Sequence, residues 1–354
     1  MKKWRRPDFK ALRMHEYESN RKRGKYIIRH SRDAYEAIIA YLEEQGFQDI
    51  AVVESSRSIK SNWSHLADLV YDTYFLVTHL KRFNQADVLF SIGYATIPLK
   101  ILMKIGLIKC RRLFWFGFFL HSPKAFKVFR ILSRLLSVDE ERYIVFSEWE
   151  RSLYSRTLGI PLSKLLYMPW GSWGKEEKGA LKNAAIQGDY YFSGGASNRD
   201  YLSLIEVFRN RPDKLVIVCS PSKNAEIFAA SIPANISIYT DIEGSEFNKL
   251  IRASKACILL LKHNTGASGQ DVLLRYMRQA KVIIASDTAV VREYIQNDES
   301  GMLIENPLIE LPEIISRLER EPELACLGEK ARNQFLKKFS RQAVTTALVE
   351  ITNS

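Results

Sequence analysis

The segment spanning residues 262–304 constrains the fold of this chain more than any other part of its 354 residues. It opens with the glycine-containing loop KHNTGASGQ, and an apolar-periodic stretch after the loop predicts a helix. The apolar run at residues 282–285 then predicts a short buried strand. Because the loop would present free amide groups at the N-terminus of the helix, the segment predicts a parallel α/β sheet with an anion site at the edge where its strands end.

Strand and helix patterns alternate along most of the remaining chain, in two series. The first series has predicted strands at residues 26–29, 50–53, 87–91, 112–120 and 143–147, and predicted helices at 33–45, 67–83, 96–105, 124–136 and 148–158. The second has strands at 190–193, 215–219, 236–239 and 256–261, helices at 201–208, 225–230 and 243–254, and a helical C-terminus from about residue 311. The pattern predicts an α/β protein of two Rossmann-like, doubly wound domains, residues 1–180 and 181–354, with a linker near residues 172–187.

Basic residues are concentrated in the first half of the chain. Residues 1–186 carry 32 Lys and Arg against 19 Asp and Glu, whereas residues 187–354 carry 20 against 21. This asymmetry predicts an anionic partner for the first half. Four basic residues, Lys124, Lys127, Arg130 and Arg134, recur at helical spacing and share one face. They indicate contact with an anionic membrane surface, and a core helix with a solvated basic face remains the alternative.

Several classes of protein are disfavoured by the sequence. There is no apolar run of transmembrane length and no apolar leader, so we expect a cytoplasmic protein, with the inner face of the cell membrane as its possible site of contact. The four cysteines are scattered and predict reduced thiols rather than a zinc site. No HExxH, GxSxG, Walker A or CxxC pattern occurs, and no nucleic-acid-binding module is recognisable.

Short groups of residues, in a consistent order, resemble the conserved segments of one enzyme family. They are residues 147–148 (SE), 168–171 (MPWG), 276–285 (YMRQAKVIIA), 293–295 (EYI) and 300–301 (SG). From about residue 85 onward the chain resembles GT-B glycosyltransferases, in particular the retaining GT4 family, also called glycosyl transferases group 1. The resemblance implies two Rossmann-like domains with an interdomain cleft, and a C-terminal helix that packs back on the first domain.

The resemblance also implies an activity. It is the transfer of a sugar, of hexosyl type and without a metal, from a nucleotide-sugar donor to a glycan or lipid-linked acceptor in cell-surface polysaccharide assembly. The nucleotide-sugar would be a substrate, and no further cofactor is implied. The first domain would bind the acceptor and the second the donor. We expect no nucleic-acid partner.

The resemblance assigns roles to individual positions. His121, at the end of the apolar strand, and Arg199, near the lysine position of the family, would be the catalytic residues. Arg199 would neutralise the leaving diphosphate, although an exposed arginine at a helix start is the alternative. The donor-binding residues would be Gly194, Gly195, Lys262, Thr265, Gly266, Ala267, Ser268, Gly269, Gln270, Arg275 and Glu293. In addition, either Ser268 or Asp271 is a candidate cap for the helix after the loop.

This sequence departs from the family at two of its acidic positions. The family's spaced glutamate pair falls on Ala267 and Arg275, so both carboxylates are absent, and Gly195 replaces a family arginine. A nucleotide-sugar epimerase on the same domains would need carboxylates in the cleft, where this pair is missing. A second alternative is a catalytically degenerate subunit that binds a glycan or a partner transferase.

Overall fold

The computed structural model describes residues 50–54, 64–84, 88–92, 96–116, 123–172, 189–222, 225–240, 242–262 and 267–353. The predicted elements at residues 26–29 and 33–45 lie outside these ranges. His121, Thr265, Gly266 and all of the predicted linker except Ser172 also lie outside them.

The first sheet has five strands that follow one another in chain order. They are β1 (Ile50–Glu54), β2 (Val88–Ile92), β3 (Arg112–Phe116), β4 (Glu141–Val145) and β5 (Leu165–Tyr167). The pairs β1–β2, β2–β3 and β3–β4 are parallel. The helices between and after them are α1 (Ser64–Thr78), α2 (Leu80–Phe83), α3 (Thr96–Lys104), α4 (Pro123–Leu135) and α5 (Glu148–Leu158). Because right-handed crossovers join parallel strands taken in chain order, α1, α3 and α4 lie on one face of the sheet.

The core beneath α1 and α3 is aliphatic and aromatic, with one buried ion pair beside it. Leu76, Leu99 and Leu113 are almost completely buried there. Lys100 of α3 lies 2.5 Å from the carboxylate of Glu141 in β4, and both side chains are buried. This ion pair ties α3 to the strand it covers.

The second sheet is parallel throughout and has six strands in the order β11-β10-β9-β6-β7-β8. They are β6 (Tyr190–Gly194), β7 (Lys214–Cys219), β8 (Ile236–Thr240), β9 (Ala256–Leu259), β10 (Val282–Ser286) and β11 (Met302–Ile304). The chain leaves β6 in one direction through β7 and β8, and returns to build β9 to β11 on its other side. The order therefore reverses between β6 and β9, and crevices that bind ligands form at the carboxyl ends of such strands.

Helices cover both faces of the second sheet. They are α6 (Tyr201–Arg209), α7 (Ala225–Phe228), α8 (Gly244–Ala253), α9 (Gln270–Arg278), α10 (Ala289–Arg292), α11 (Pro307–Arg320), α12 (Cys326–Lys338) and α13 (Arg341–Asn353). One apolar core lies between the sheet, α6 and α11, and a second lies between the sheet, α9 and α12. Short 3₁₀ turns occupy Leu162–Lys164 and Pro322–Ala325. This is the doubly wound arrangement that the sequence pattern predicts.

The structure corrects details of the predicted second series. Neither Ser268 nor Asp271 caps α9, because its N-cap is Gly269, in the left-handed region at φ 90°, and no side chain bonds to the helix start. Strand β9 ends two residues earlier than predicted, where Leu261 forms an isolated antiparallel bridge with Arg199. The short elements β5, β11 and α10 were not predicted, since three or four residues carry no readable period.

By its contacts the chain divides into two compact units. The first comprises residues 1–118 and 128–144, and the second comprises 119–127 and 145–354. Within the second unit the C-terminal helices pack against the segment after β5: the Ser172 amide donates to the Phe339 carbonyl at 2.9 Å, and a Cβ on Gly171 would overlap Val344. The domain boundary at residue 180 stays a prediction.

No helix in the described ranges combines the length and the apolar character needed to cross a bilayer.

Candidate functional site

A pocket of about 570 Å³ lies at the carboxyl ends of β6 and β9, where the strand order reverses. The loop after β6, the start of α8 and the start of α9 supply most of its lining. The lining residues are Trp170, Gly195, Ala196, Ser197, Arg199, Ile242, Gly244, Phe247, Ala267, Ser268, Gly269, Gln270, Asp271, Val272 and Arg275. Seven of the predicted site residues meet here, and Gly194 lies directly beside them at the end of β6.

Arg199 is the buried cation of this pocket. Its side chain is 4% exposed, its Nε donates to the Gly194 carbonyl at 3.0 Å, and Nη1 donates to the Ser197 carbonyl. Within the described residues no carboxylate lies within ion-pair distance of it, and Nη2 has no hydrogen-bond acceptor. Burial lowers the pKa of the Arg199 guanidinium, but an arginine remains charged in proteins. The pocket therefore contains a positive charge that makes no ion pair within the described chain, although the Asp271 carboxylate acts on it through space.

Two glycines shape the floor on which this guanidinium lies. A Cβ on Gly194 would fall 2.5 Å from the Phe247 ring, so a larger residue could not stand there. Gly195 has φ +116°, and a Cβ on it would lie 2.3 Å from Nη2 of Arg199. The Tyr276 hydroxyl accepts from the Gly194 amide at 2.9 Å, which fixes the end of β6. The glycine pair thus lets the backbone run directly under the guanidinium.

The N-terminus of α9 faces the same pocket with unoccupied donors. The amides of Gln270, Asp271 and Val272 make no hydrogen bond within the described structure, and Gly269 provides no capping side chain. The first amides of a helix lack intrahelical acceptors, and they lie at the positive end of its dipole. Together with Arg199 they form an anion-binding arrangement.

Asn198 joins the two loops around the pocket and was not predicted as a site residue. It has φ +60°, a conformation that asparagine tolerates better than most residues. Its Nδ2 donates to Ser268 Oγ at 2.9 Å and to the Lys262 carbonyl at 3.0 Å, and its own carbonyl accepts from the Lys262 amide. These bonds hold the loop after β6 against the loop before α9.

Gln270 anchors the start of α9 from within the pocket. It is buried, and its Nε2 lies 3.2 Å from both the Phe146 carbonyl and the Tyr294 hydroxyl. With its amide group engaged in this way, the side chain fixes the position of the helix N-terminus beside the pocket.

Asp271 and Arg275 occupy the part of the lining nearest α8. Arg275 Nε lies 3.0 Å from Asp271 Oδ2, one helical turn apart, and its guanidinium lies 5.5 Å from the centre of the Phe247 ring. Asp271 is the one carboxylate among the described residues of the pocket lining. The sequence suggested Asp271 as a helix cap, whereas in the structure its carboxylate lines the pocket and pairs with Arg275.

Lys262 and Glu293 are placed away from the pocket lining. The Lys262 ammonium bonds to Glu226 Oε1 at 2.8 Å, which lowers the pKa of that carboxylate. Glu293 accepts from Ser147 Oγ at 2.8 Å, and from the amides of Glu148 and Trp149 at 3.1 Å each, so it binds the N-terminus of α5. It also lines a separate cavity of about 620 Å³ beside α13. Donor binding by these two residues stays a prediction.

The remaining predicted positions lie elsewhere or outside the described residues. His121, Thr265 and Gly266 are outside, as is the side chain of Lys124. Lys127, Arg130 and Arg134 are exposed on α4.

No protein-family model and no curated protein matches this sequence. Solved structures nevertheless resemble the chain over most of its length. A glycosyltransferase from Rickettsia africae is 13% identical with a TM-score of 0.66, and the match covers 90% of this chain and 93% of that one. HepE from Anabaena in complex with UDP is 12% identical with a TM-score of 0.68, covering 91% and 96%.

TarM is 16% identical with a TM-score of 0.63; the match covers 81% of this chain and 58% of TarM. The chain has the GT-B fold. Its two Rossmann-like domains follow in series, as the sequence predicts, and at these identities the similarity concerns the fold alone.

Proposed function

We propose that this protein is a retaining glycosyltransferase of the GT4 type. It moves a hexosyl group from a nucleotide-sugar to a glycan or lipid-linked acceptor in cell-surface polysaccharide assembly. The observation that carries the proposal is the buried Arg199, without a carboxylate partner in the described chain, beside the open N-terminus of α9. Such a site suits a diphosphate, which is the anion common to nucleotide-sugar donors.

The proposed role of this site is to stabilise the leaving group. When the bond between the anomeric carbon and the β-phosphate oxygen breaks, negative charge grows on the diphosphate. Arg199 and the α9 amides are already in place, and donors that need no rearrangement stabilise developing charge most effectively. The acceptor oxygen bonds to the anomeric carbon on the same face, and its proton passes to the departing phosphate. The reaction as proposed uses no metal and no further cofactor.

Asp271 and Phe247 are proposed to bind the nucleoside. A carboxylate accepts hydrogen bonds, and a ribose offers two neighbouring hydroxyl donors. Asp271 is held by Arg275, and the Phe247 ring lies beside them. In this way Asp271 supplies the acceptor that Arg275 cannot. HepE, which shares the fold, has been solved with UDP, with UDP and glucose, and with UDP-glucose, which makes uridine diphosphate the first nucleotide to test.

His121 is proposed to orient the donor sugar or the acceptor hydroxyl, as the family resemblance implies. We further propose that the protein works in the cytoplasm at the inner face of the cell membrane, where a lipid-linked acceptor would be presented.

Calorimetric titration with UDP, GDP and ADP, followed by hydrolysis assays with the matching nucleotide-sugars, tests the proposal. We expect one nucleoside diphosphate to bind, and Asp271→Asn to weaken it by about tenfold, the effect of one charge-assisted hydrogen bond. Asp189→Asn is the matched control and should bind like wild type, because Asp189 is an exposed, lysine-paired aspartate that precedes β6, at the end of the strand opposite to the pocket. If none of the three nucleotides binds, the donor site is not what we propose.

The alternative, a degenerate subunit that binds a glycan or a partner transferase, is favoured by one specific observation. The pocket lining has a single described carboxylate, and that carboxylate is paired with Arg275. This alternative predicts nucleotide binding without turnover, or no nucleotide binding at all.

A further inference from the structure

The helices on one face of the first sheet carry apolar side chains on their outer surface. Sixteen large apolar side chains are exposed in the described parts of the chain, and nine of them lie on α1, on α4, and on α3 with the turn that follows it. A helix that only covers a sheet is expected to be polar on its outer side. This concentration therefore marks a surface that has another contact to make.

The strongest part of this surface is formed by α3 and α4, which we name the α3–α4 surface. It consists of Ile101, Ile105, Leu107, Val128, Ile131 and Leu135, each between 41% and 63% exposed. The two helices meet where the Lys104 ammonium bonds to the Leu135 carbonyl. The apolar residues of α4 recur at intervals of three and four, so they form one stripe along the helix.

Cations share this surface and acids are missing from it. Arg130 and Arg134 are exposed on α4 between the apolar positions, and Lys104 is exposed on α3. In the whole stretch from Val88 to Val138 the sequence has nine basic residues and no acidic one. A helix with exposed aliphatic side chains and flanking cations suits the boundary between acyl chains and anionic headgroups.

We infer that the α3–α4 surface docks on an anionic phospholipid bilayer, with the aliphatic side chains inserted and the cations at headgroup level. A nucleic acid fits less well, since single-strand binding uses aromatic platforms and this surface is aliphatic. The structure adds exposed aliphatic side chains of α3, of the turn after it and of α4 to the membrane contact that the sequence predicts for the basic residues of α4. The inference does not depend on the proposed transferase activity.

The test is co-sedimentation of the full-length protein with vesicles of phosphatidylcholine, with or without phosphatidylglycerol. We expect binding to the anionic vesicles only. The triple variant Val128→Ser, Ile131→Ser, Leu135→Ser should lower the partition coefficient by about tenfold or more, because the inserted apolar area is lost. The variant Arg130→Gln, Arg134→Gln should lower it by about 30-fold at low salt, from about 1 kcal/mol per charge.

The matched control is Leu308→Ser, Ile309→Ser, two exposed apolar residues of the second unit that are 53% and 72% exposed. This control should bind vesicles like wild type, and circular dichroism should show all variants folded. The inference is wrong if wild type stays in the supernatant, if the apolar triple variant binds unchanged, or if the control loses binding equally. It is also wrong if duplex DNA displaces the vesicles, or if light scattering shows a dimer that the triple variant dissociates. Nucleotide titration is independent of these outcomes, so this inference and the proposed transfer from a nucleotide-sugar can fail separately, whereas the proposed location at the membrane fails together with this inference.

Discussion

Two buried cations, one in each unit, differ in how the protein compensates their charge. Lys100 in the first unit lies 2.5 Å from Glu141, donates to the Tyr143 hydroxyl at 3.3 Å, and is 2% exposed. Arg199 in the second unit is 4% exposed and bonds to backbone carbonyls, with no carboxylate partner in the described chain. The first charge is neutralised within the protein, whereas the second is available to a ligand. Burial of a charge therefore indicates function only where the compensating charge is missing.

A third buried cation sharpens this distinction. Lys281 is 1% exposed and donates to the Ser254 carbonyl at 2.8 Å, and burial lowers its pKa. A lysine can relieve its burial by releasing a proton, whereas an arginine cannot. For that reason Arg199 is the buried cation that calls for an external anion.

The largest expected change in the free energy of unfolding comes from breaking the ion pair between Lys100 and Glu141 in the first unit. Lys100→Met leaves the Glu141 carboxylate buried without its cation, which costs about 3–5 kcal/mol of unfolding free energy. Urea unfolding followed by circular dichroism measures this loss. The double variant Lys100→Met, Glu141→Leu should recover most of it, because both charges are then gone.

Lys109→Met, at an exposed position of the same unit, should change the unfolding free energy by less than about 0.5 kcal/mol. A loss below about 1 kcal/mol for Lys100→Met would contradict the role assigned to the ion pair.

The next effect concerns Glu150, a buried carboxyl group that has no cationic partner among the residues that the structure describes. It is 2% exposed and accepts from the Tyr154 hydroxyl through Oε1, while its Oε2 has no hydrogen-bond partner in the described part of the chain. Burial, with a contribution from the Glu293 carboxylate, raises its pKa from 4.5 to about 7. The folded protein therefore holds a proton that the unfolded chain releases, and Glu150 costs stability as the pH rises from about 4.5 to above 7, by up to about 3 kcal/mol.

Glu150→Gln removes this penalty, so the variant should gain stability relative to wild type between pH 5 and pH 8. Urea midpoints measured at both pH values check the prediction. Glu148→Gln, on the same helix but exposed, is the control and should keep the wild-type dependence. Equal slopes for wild type and Glu150→Gln would show that Glu150 does not titrate in this range.

The smallest effect is expected from moving Arg199 without removing it. In Gly195→Ala the new Cβ would overlap the guanidinium at a residue with φ +116°, so the cation must shift. Nucleoside diphosphate binding should weaken by about tenfold, as for the loss of one charge-assisted hydrogen bond.

Gly106→Ala is the matched control for the backbone cost, because Gly106 has φ +77° and open space around its Cα. It should lose similar stability and bind nucleotide normally. If both alanine variants bind alike, the contact between Gly195 and Arg199 is not important for the site.

The sequence predicted the fold well because its signals are periodic. Alternating strands and helices and the glycine loop before α9 were readable, and the helix Glu148–Leu158 was predicted to the residue. The direction of a side chain, in contrast, could not be predicted from such periodic signals. Lys262 reaches Glu226 and Glu293 reaches the start of α5, and both partners are distant in the sequence. Such pairings are decided by tertiary packing, which no local pattern records.

The most direct test of the account is the unfolding free energy of wild type and Arg199→Met, each with and without a saturating nucleoside diphosphate. Without nucleotide, we predict that Arg199→Met is within about 1 kcal/mol of wild type, because removing a buried charge that lacks a counter-ion offsets the lost hydrogen bonds. With nucleotide at about 100 times Kd, wild type should gain about 2.7 kcal/mol and the variant much less. If Arg199→Met is destabilised as strongly as Lys100→Met and still gains as much as wild type from nucleotide, Arg199 is a structural residue and the account is wrong.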